Sequence, residues 1–128
     1  MFFVEQWMDQ KDDVQITQDG KAVVVAFAMA SITDAKVIAT ASKMIREALD
    51  ACRPARVVYD FAGVNFFSSQ VLGLLLETRS RLQATGGKVV ITAVSPPLHR
   101  VFKTTNLDKI FEFFPNRRAA IEAIGTTN

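Results

Sequence analysis

The chain has 128 residues, of which 49% are apolar, so it is long enough to form one hydrophobic core without a disulfide or a structural metal. Fifteen basic and thirteen acidic residues leave a formal net charge of +2, which is too small a bias to indicate a nucleic-acid surface. The single cysteine, Cys52, excludes an intrachain disulfide and suits a reducing compartment. We therefore expect one soluble, cytoplasmic domain.

Residues 1–13 are expected to form an N-terminal extension. Two apolar pairs in it are spaced as on one face of a helix: Phe3 with Trp7, and Val4 with Met8. We therefore expect residues 1–10 to pack on the domain or on a second copy, which leaves homodimerisation open. The segment lacks the cationic start and the long apolar run of an export signal. No run in the chain approaches the roughly 20 apolar residues that cross a bilayer, so no membrane insertion is expected.

The predicted elements begin with a β-hairpin. Residues 14–17 alternate apolar and polar, Asp19-Gly20 is a hairpin turn signal, and residues 21–29 form a Val-rich returning strand. From Asp34 to Cys52, apolar residues recur every three to four positions while charged residues take the opposite side. This pattern predicts an amphipathic helix with Asp34 as its N-cap.

The middle of the chain predicts a strand, a helix and a second strand. Residues 57–59 are short and favour β structure, as a central strand does. An apolar helix follows the Ser68-Ser69 turn and runs to about Thr85, where Gly86-Gly87 supplies the left-handed residue that ends many helices. Residues 89–94 are a continuous apolar strand. Alternating strands and helices favour parallel neighbours, because parallel strands need a crossover between them.

The last third repeats this alternation on a smaller scale. A short helix is predicted from Pro97, an edge strand over residues 110–113, and a closing helix after it. The fold class is therefore α/β, with one domain over residues 14–124. Its mixed sheet, an N-terminal hairpin plus parallel strands, is expected to be backed by about four helices.

A search for catalytic or metal-binding residues yields little. One histidine, His99, does not make a metal cluster, and its place beside Arg100 in a short amphipathic helix indicates a solvated residue. Asp34 and Asp60 would form a carboxylate pair only if a helix start and a strand end meet, and capping explains them more simply. We expect no catalytic residue, no metal and no cofactor. A small-molecule or nucleotide enzyme remains an alternative that only the α/β order supports.

The most informative segment places Ser69 where a buried strand ends and an apolar helix begins. Unpaired backbone N–H groups and the positive end of the helix dipole make such a position hospitable to a negative group, including a phosphate on the serine. The alternative is that Ser68 is only an N-cap that accepts a bond from a following amide. Phe66, Phe67 and Leu74 lie nearby, and those that are exposed would suit contact with a protein. Otherwise Phe66 or Phe67 closes the end of the sheet.

Residues 64–73, Val-Asn-Phe-Phe-Ser-Ser-Gln-Val-Leu-Gly, resemble the phosphoacceptor motif of the STAS domain family of anti-sigma factor antagonists. That motif is a hydrophobic run followed by Asp-Ser-Ser/Thr-Gly-Leu-Gly, and Ser69 falls on its acceptor serine. Ser68 occupies the usual Asp position, Gln70 the second hydroxyl position and Val71 the usual Gly. The likeness continues in the Gly-Gly, strand, Ser-Pro and helix succession of residues 86–111, and it covers roughly residues 14–124.

This resemblance implies a protein switch rather than an enzyme. The unmodified domain would bind an anti-sigma factor that is also a serine kinase of histidine-kinase-like ATPase fold, and phosphorylation of Ser69 would break the complex. The implied partner surface comprises the loop of residues 30–34, the turn of residues 68–70 and the exposed first turns of the second helix. Its implied partner-binding residues are Ser31, Thr33, Asp34, Phe67, Ser68, Ser69, Gln70 and Leu74. The alternative is a non-phosphorylated STAS adaptor subunit of a stressosome-like assembly or a lipid-transport ABC complex, which the atypical Ser68 and Gln70 favour.

Overall fold

The computed structural model describes residues 13–126, and the side chains of residues 13–123. The expectations for residues 1–10, and for the extension they belong to, lie outside the described residues. Over the described range the elements are, in chain order, β1 (Val14–Asp19), β2 (Ala22–Phe27), β3 (Ser31–Ile32), α1 (Ala35–Cys52), β4 (Arg56–Asp60), β5 (Phe66–Phe67), α2 (Ser69–Gln83), β6 (Lys88–Thr92), α3 (Pro96–Thr104), a 3-10 turn (Leu107–Lys109), β7 (Glu112–Phe114) and α4 (Arg117–Thr126).

The chain opens with the predicted hairpin. β1 and β2 pair antiparallel from Val14 opposite Phe27 to Asp19 opposite Ala22. Gly20 lies in the turn with a φ of 62°, a conformation that side-chain-bearing residues rarely adopt. The Asp-Gly signal in the sequence therefore located the first turn of the fold correctly.

The main sheet has the strand order β1-β2-β4-β6-β7, and every pair after the hairpin is parallel. α1 and α2 pack on one face, where alternate strand residues such as Val23, Tyr59 and Ile91 form the main core. α4 packs on the other face, where its Ala120 forms a smaller cluster with Ala22, Val24, Val58 and Val90. The predicted α/β class, mixed sheet and four helices are confirmed.

Several element ends differ from the prediction. β6 ends at Thr92 rather than at residue 94, because Ala93 has a φ of 59° and leaves the strand. β7 covers Glu112–Phe114 instead of residues 110–113. α1 begins as predicted, with Asp34 as N-cap accepting a 2.8 Å bond from the Lys36 amide. A run of apolar residues predicts the presence of an element reliably, but it predicts the end of that element less well.

Candidate functional site

A two-stranded parallel sheet joins the two segments that the sequence singled out separately. In it Ser31 of β3 is opposite Phe66 of β5, and Ile32 is opposite Phe67. The Ser68 amide continues this pairing with a 3.0 Å bond to the Ile32 carbonyl. The loop before α1 and the serine turn before α2 are therefore held side by side. Neither strand is longer than two residues, so neither could be predicted from an alternating pattern in the sequence.

Ser69 is the first residue of α2 and is exposed. The first turn of the helix carries no acidic side chain, so no carboxylate competes for its amide N–H groups. Val71 is completely buried, so its branched side chain points into the core and leaves the surface around Ser69 open. The hydroxyl at this position is thus reachable by another protein.

Ser68 occupies the N-cap position of α2 but does not cap it. Its backbone is extended, with φ −78° and ψ 165°, yet its side chain makes no bond to a helix amide. The Oγ atom is buried and has no hydrogen-bond partner among the described residues. The interpretation that Ser68 accepts a bond from a following amide is therefore wrong, although its carbonyl does accept one from Val71 at 3.0 Å.

Two of the expected contact residues are buried. Phe67 is 4% exposed and packs between Phe61, at a ring-centroid distance of 5.4 Å, and Phe102, at 5.9 Å. Phe66 points the other way, since side chains alternate along a strand, and is 53% exposed. Phe67 thus closes the end of the sheet and Phe66 is the accessible ring. Leu74 is 5% exposed and belongs to the core. This corrects the expectation that its side chain lies on the outer surface, where a partner would bind.

The remaining expected residues lie on or next to the two segments that this small sheet joins. Ser31, Thr33, Asp34 and Gln70 are exposed, as Ser69 is, and Ser68 is half-buried. Next to them runs a groove of about 330 Å³ between α1 and α2, whose lining includes Ala35, Ile38, Ala39, Ser42, Gln70, Gly73, Leu74 and Glu77. Leu74 therefore contributes to the groove although little of it is exposed. The α1 side of this groove was missed from the sequence, where its only signal is the row of small residues at positions 35, 39 and 42.

A buried hydrogen-bond chain ties α2 to the sheet below it. The Thr78 hydroxyl donates to the Leu74 carbonyl at 2.8 Å, so its contact of 2.7 Å with the Tyr59 hydroxyl must have the tyrosine as donor. Burial raises the pKa of Tyr59 well above its ordinary value, which keeps this donor protonated. The helix that begins at Ser69 is thereby fixed by polar as well as apolar contacts.

The other polar residues considered in the sequence analysis have contacts within the domain. Asp34 and Asp60 each have their own partner: Asp34 caps α1, and Asp60 is bound by the Ala62 amide and by Arg117. His99 is exposed and contacts the Phe113 ring edge to face. Within residues 13–126 no cluster of side chains suited to a metal ion is found. None of the described helices is both long and apolar enough to span a membrane.

The family model for the STAS domain matches residues 13–120. The chain belongs to the STAS domain family, as the resemblance of the serine motif predicted. A curated relative, the anti-sigma F factor antagonist of Paenibacillus polymyxa, is 27% identical over 84 residues, which cover 62% of this chain and 72% of the relative.

Solved structures show the same fold. An anti-sigma-factor antagonist (STAS) domain protein from Planctomyces limnophilus matches with a TM-score of 0.78 and 21% identity, over 89% of this chain and 98% of that one. The Bacillus cell fate determinant SpoIIAA in its phosphorylated form matches with a TM-score of 0.69 and 20% identity, over 87% and 98%. The fold of this chain is therefore that of the STAS domains of anti-sigma factor antagonists.

Proposed function

We propose that this domain is an anti-sigma factor antagonist that binds its anti-sigma factor through the surface around Ser69, and that phosphorylation of Ser69 ends the binding. The observation that carries the proposal is the exposed Ser69 at the start of α2, three residues after the 53% exposed Phe66. The similarity to a curated anti-sigma F factor antagonist supports the choice of partner.

The proposed switch follows from the chemistry of a phosphate at this position. Phosphorylation adds about −1.5 to −2 charges. Within the domain, the amides at the start of α2 tolerate that charge, because no acidic side chain lies in the first turn. In a contact with a protein, the same phosphate would have to lose its water beside the apolar Phe66, which opposes binding. Binding should therefore fall while the fold remains intact.

The partner is an anti-sigma factor that also acts as a serine kinase of histidine-kinase-like ATPase fold, and the complex forms in the cytoplasm. The domain itself acts by binding and has no catalytic residue in this scheme. Nucleic acid is not a partner, since the net charge of +2 offers little attraction to phosphate backbones. Ser31, Thr33, Asp34 and Gln70 surround Ser69 in the proposed interface.

Phosphate transfer tests this proposal directly. The full chain is incubated with ATP and each purified anti-sigma factor kinase of the organism that encodes it, and the product is weighed by intact mass spectrometry. One added phosphate is expected on the unmodified chain and on Ser68→Ala, whose hydroxyl is buried, but none on Ser69→Ala. Equal labelling of Ser69→Ala would remove Ser69 from the proposal.

The second candidate is an adaptor subunit that is never phosphorylated. The buried Ser68 hydroxyl favours it. Ser68 stands where the family motif has an Asp, and because its hydroxyl is buried, a kinase has no polar side chain to bind at this position. Mass spectrometry of the protein from its native cells separates the two. A stoichiometric phosphopeptide that contains Ser69 is expected only for the switch.

A further inference from the structure

We infer that Gly73 and Leu76, on the outer face of α2, form the centre of the partner-binding surface, with a helix of the partner crossing α2 at Gly73. The inference rests on the proposed function, since it names contacts within that surface. Within the first two turns of α2, which the resemblance already implied to belong to that surface, it names the two residues that carry the contact.

Gly73 serves no visible purpose within the domain. Glycine inside a helix is less stable than alanine, because its backbone has more freedom to lose. A Cβ built on Gly73 would meet no atom within 4 Å, and its backbone is not in the left-handed region. By contrast, a Cβ on Gly87 would lie 3.0 Å from the Ala55 carbonyl oxygen. Gly87 is needed for packing. A contact with another protein, which a side chain would obstruct, explains why a glycine stands at position 73.

Leu76 supplies the apolar contact that such an approach would bury. Its side chain is 40% exposed, which makes it one of three large apolar residues on the described surface, with Phe66 and Ile110. At about 100° per residue, Ser69, Gly73 and Leu76 lie within roughly 60° of one another around the helix axis. Leu76 is about 10 Å along the axis from Ser69. The three residues therefore form one strip on the outside of α2.

The charge pattern of the strip limits the kind of partner. No charged residue occurs in the segment from Ser69 to Leu76, and the first is Glu77. Glu77 is itself engaged by Arg46 at 3.8 Å and by Arg81 at 3.5 Å. An uncharged partner surface with a recess for Leu76 therefore fits the strip better than a highly charged one.

The groove beside the strip indicates the shape of the partner element. Gly73 forms part of one wall of the groove between α1 and α2, and Ala35, Ala39 and Ser42 contribute to the opposite wall. Each wall is about two helical turns long. Side-chain ridges of a helix pack into grooves between other helices, and their axes come closest where the residues are small. A partner helix laid across Gly73 would therefore fill the groove and contact Leu76 and Ser69 together.

Affinity and stability measured on the same variants test this inference. The unphosphorylated full chain is titrated by calorimetry against each purified anti-sigma factor of its source organism, and its thermal unfolding is followed by circular dichroism. Gly73→Ala should raise the unfolding midpoint by about 3–5 °C, because alanine is the better helix former. It should also weaken binding about tenfold or more, because the added methyl group obstructs a close contact. Leu76→Ala should weaken binding by a similar factor of about ten.

Two control variants match these changes in chemistry but lie away from the strip. Thr40→Ala also adds helix propensity at an exposed helix position, but on α1, about 100° around the helix axis from Ala39 of the groove wall. Ile110→Ala removes a side chain that is likewise 40% exposed, near the amino end of β7. Both should bind within about twofold of the unmodified chain, as surface changes outside an interface do.

Each result supports or overturns the inference. If the unmodified chain binds and Gly73→Ala binds equally well, the close approach at Gly73 is wrong and the proposed function stands. If Gly73→Ala lowers the unfolding midpoint, the fold itself needs the glycine and the inference also fails. If the unmodified chain binds none of the anti-sigma factors, the proposed function falls and takes this inference with it.

Discussion

Arg117 holds Asp60 through two of its nitrogen atoms, Nε at 3.0 Å and Nη2 at 2.9 Å from the same carboxylate oxygen. The other oxygen accepts the Ala62 amide at 3.0 Å. Asp60 ends β4 and Arg117 begins α4, so this pair joins the C-terminal helix to the strand that leads into the serine turn. The Asp60 side chain is only 10% exposed, whereas that of Arg117 is 44% exposed.

We expect Arg117→Ala to lower the free energy of unfolding by about 2 kcal/mol, because it leaves a nearly buried carboxylate with one remaining donor. Denaturant unfolding measures the change. Arg118→Ala is the control, since Arg118 is 87% exposed and its pair with Glu122 spans 3.7 Å at the surface, where ion pairs contribute little. Equal losses in the two variants would mean that the Asp60 contact does not carry the effect.

Two N-cap substitutions should differ in their cost. Asp34→Ala removes a side-chain bond to the Lys36 amide and should destabilise the domain by about 1 kcal/mol. Ser68→Ala removes a buried hydroxyl that has no partner among the described residues, so stability should change by no more than about 0.5 kcal/mol. Both are read from denaturant midpoints. A loss on Ser68→Ala as large as that on Asp34→Ala would reveal a bond that the Oγ atom makes in solution.

Gly87 is expected to tolerate no side chain. A Cβ there would lie 3.0 Å from the Ala55 carbonyl oxygen and 3.0 Å from Leu82 Cδ2, so Gly87→Ala should cost about 1–3 kcal/mol through overpacking. Thermal unfolding monitored by circular dichroism is a sufficient measurement. An unchanged midpoint would show that the turn after α2 can move away from Ala55, the residue before β4.

The Tyr59 hydroxyl predicts how stability depends on alkaline pH. Burial raises its pKa in the folded state, so only the unfolded chain releases this proton readily. The contribution is complete below the ordinary phenol pKa of about 10 and is lost as pH rises above it, by up to about 1.4 kcal/mol per pH unit. Urea unfolding between pH 8 and pH 11 should show a decline that is shallower in Tyr59→Phe. Identical slopes in the two proteins would contradict the assignment.

The sequence predicted the elements that carry a strong periodic signal. The hairpin followed from Asp19-Gly20 between alternating residues, and α1 followed from its amphipathic pattern and its Asp34 cap. The sequence motif also predicted the family. Ser69 lies at an exposed helix start, as expected, and its phosphorylation stays a prediction.

What was missed depends on contacts between distant segments. The pairing of Ser31 with Phe66 involves two-residue strands, which are too short for a pattern. Which of Phe66 and Phe67 is buried depends on the face that each presents, and that follows from the pairing. The buried state of Leu74 depends on how α2 is rotated against the core, because α2 carries apolar residues on several sides. Local sequence does not fix any of these three features.

The two faces of the sheet are covered unequally. We therefore expect some parts of the domain to open more often than others. α1 and α2 contribute Ile45 and Leu75 to the large cluster that also contains Tyr59. α4 contributes Ala120 to a cluster of five small or medium buried residues, and Arg117 to the pair with Asp60. Amide protons of α4 should therefore exchange with deuterium sooner than those in the middle of α2. The body of the helix that begins at Ser69 would then belong to the most persistent part of the molecule, so a protein that contacts its outer face would meet a surface that is already ordered.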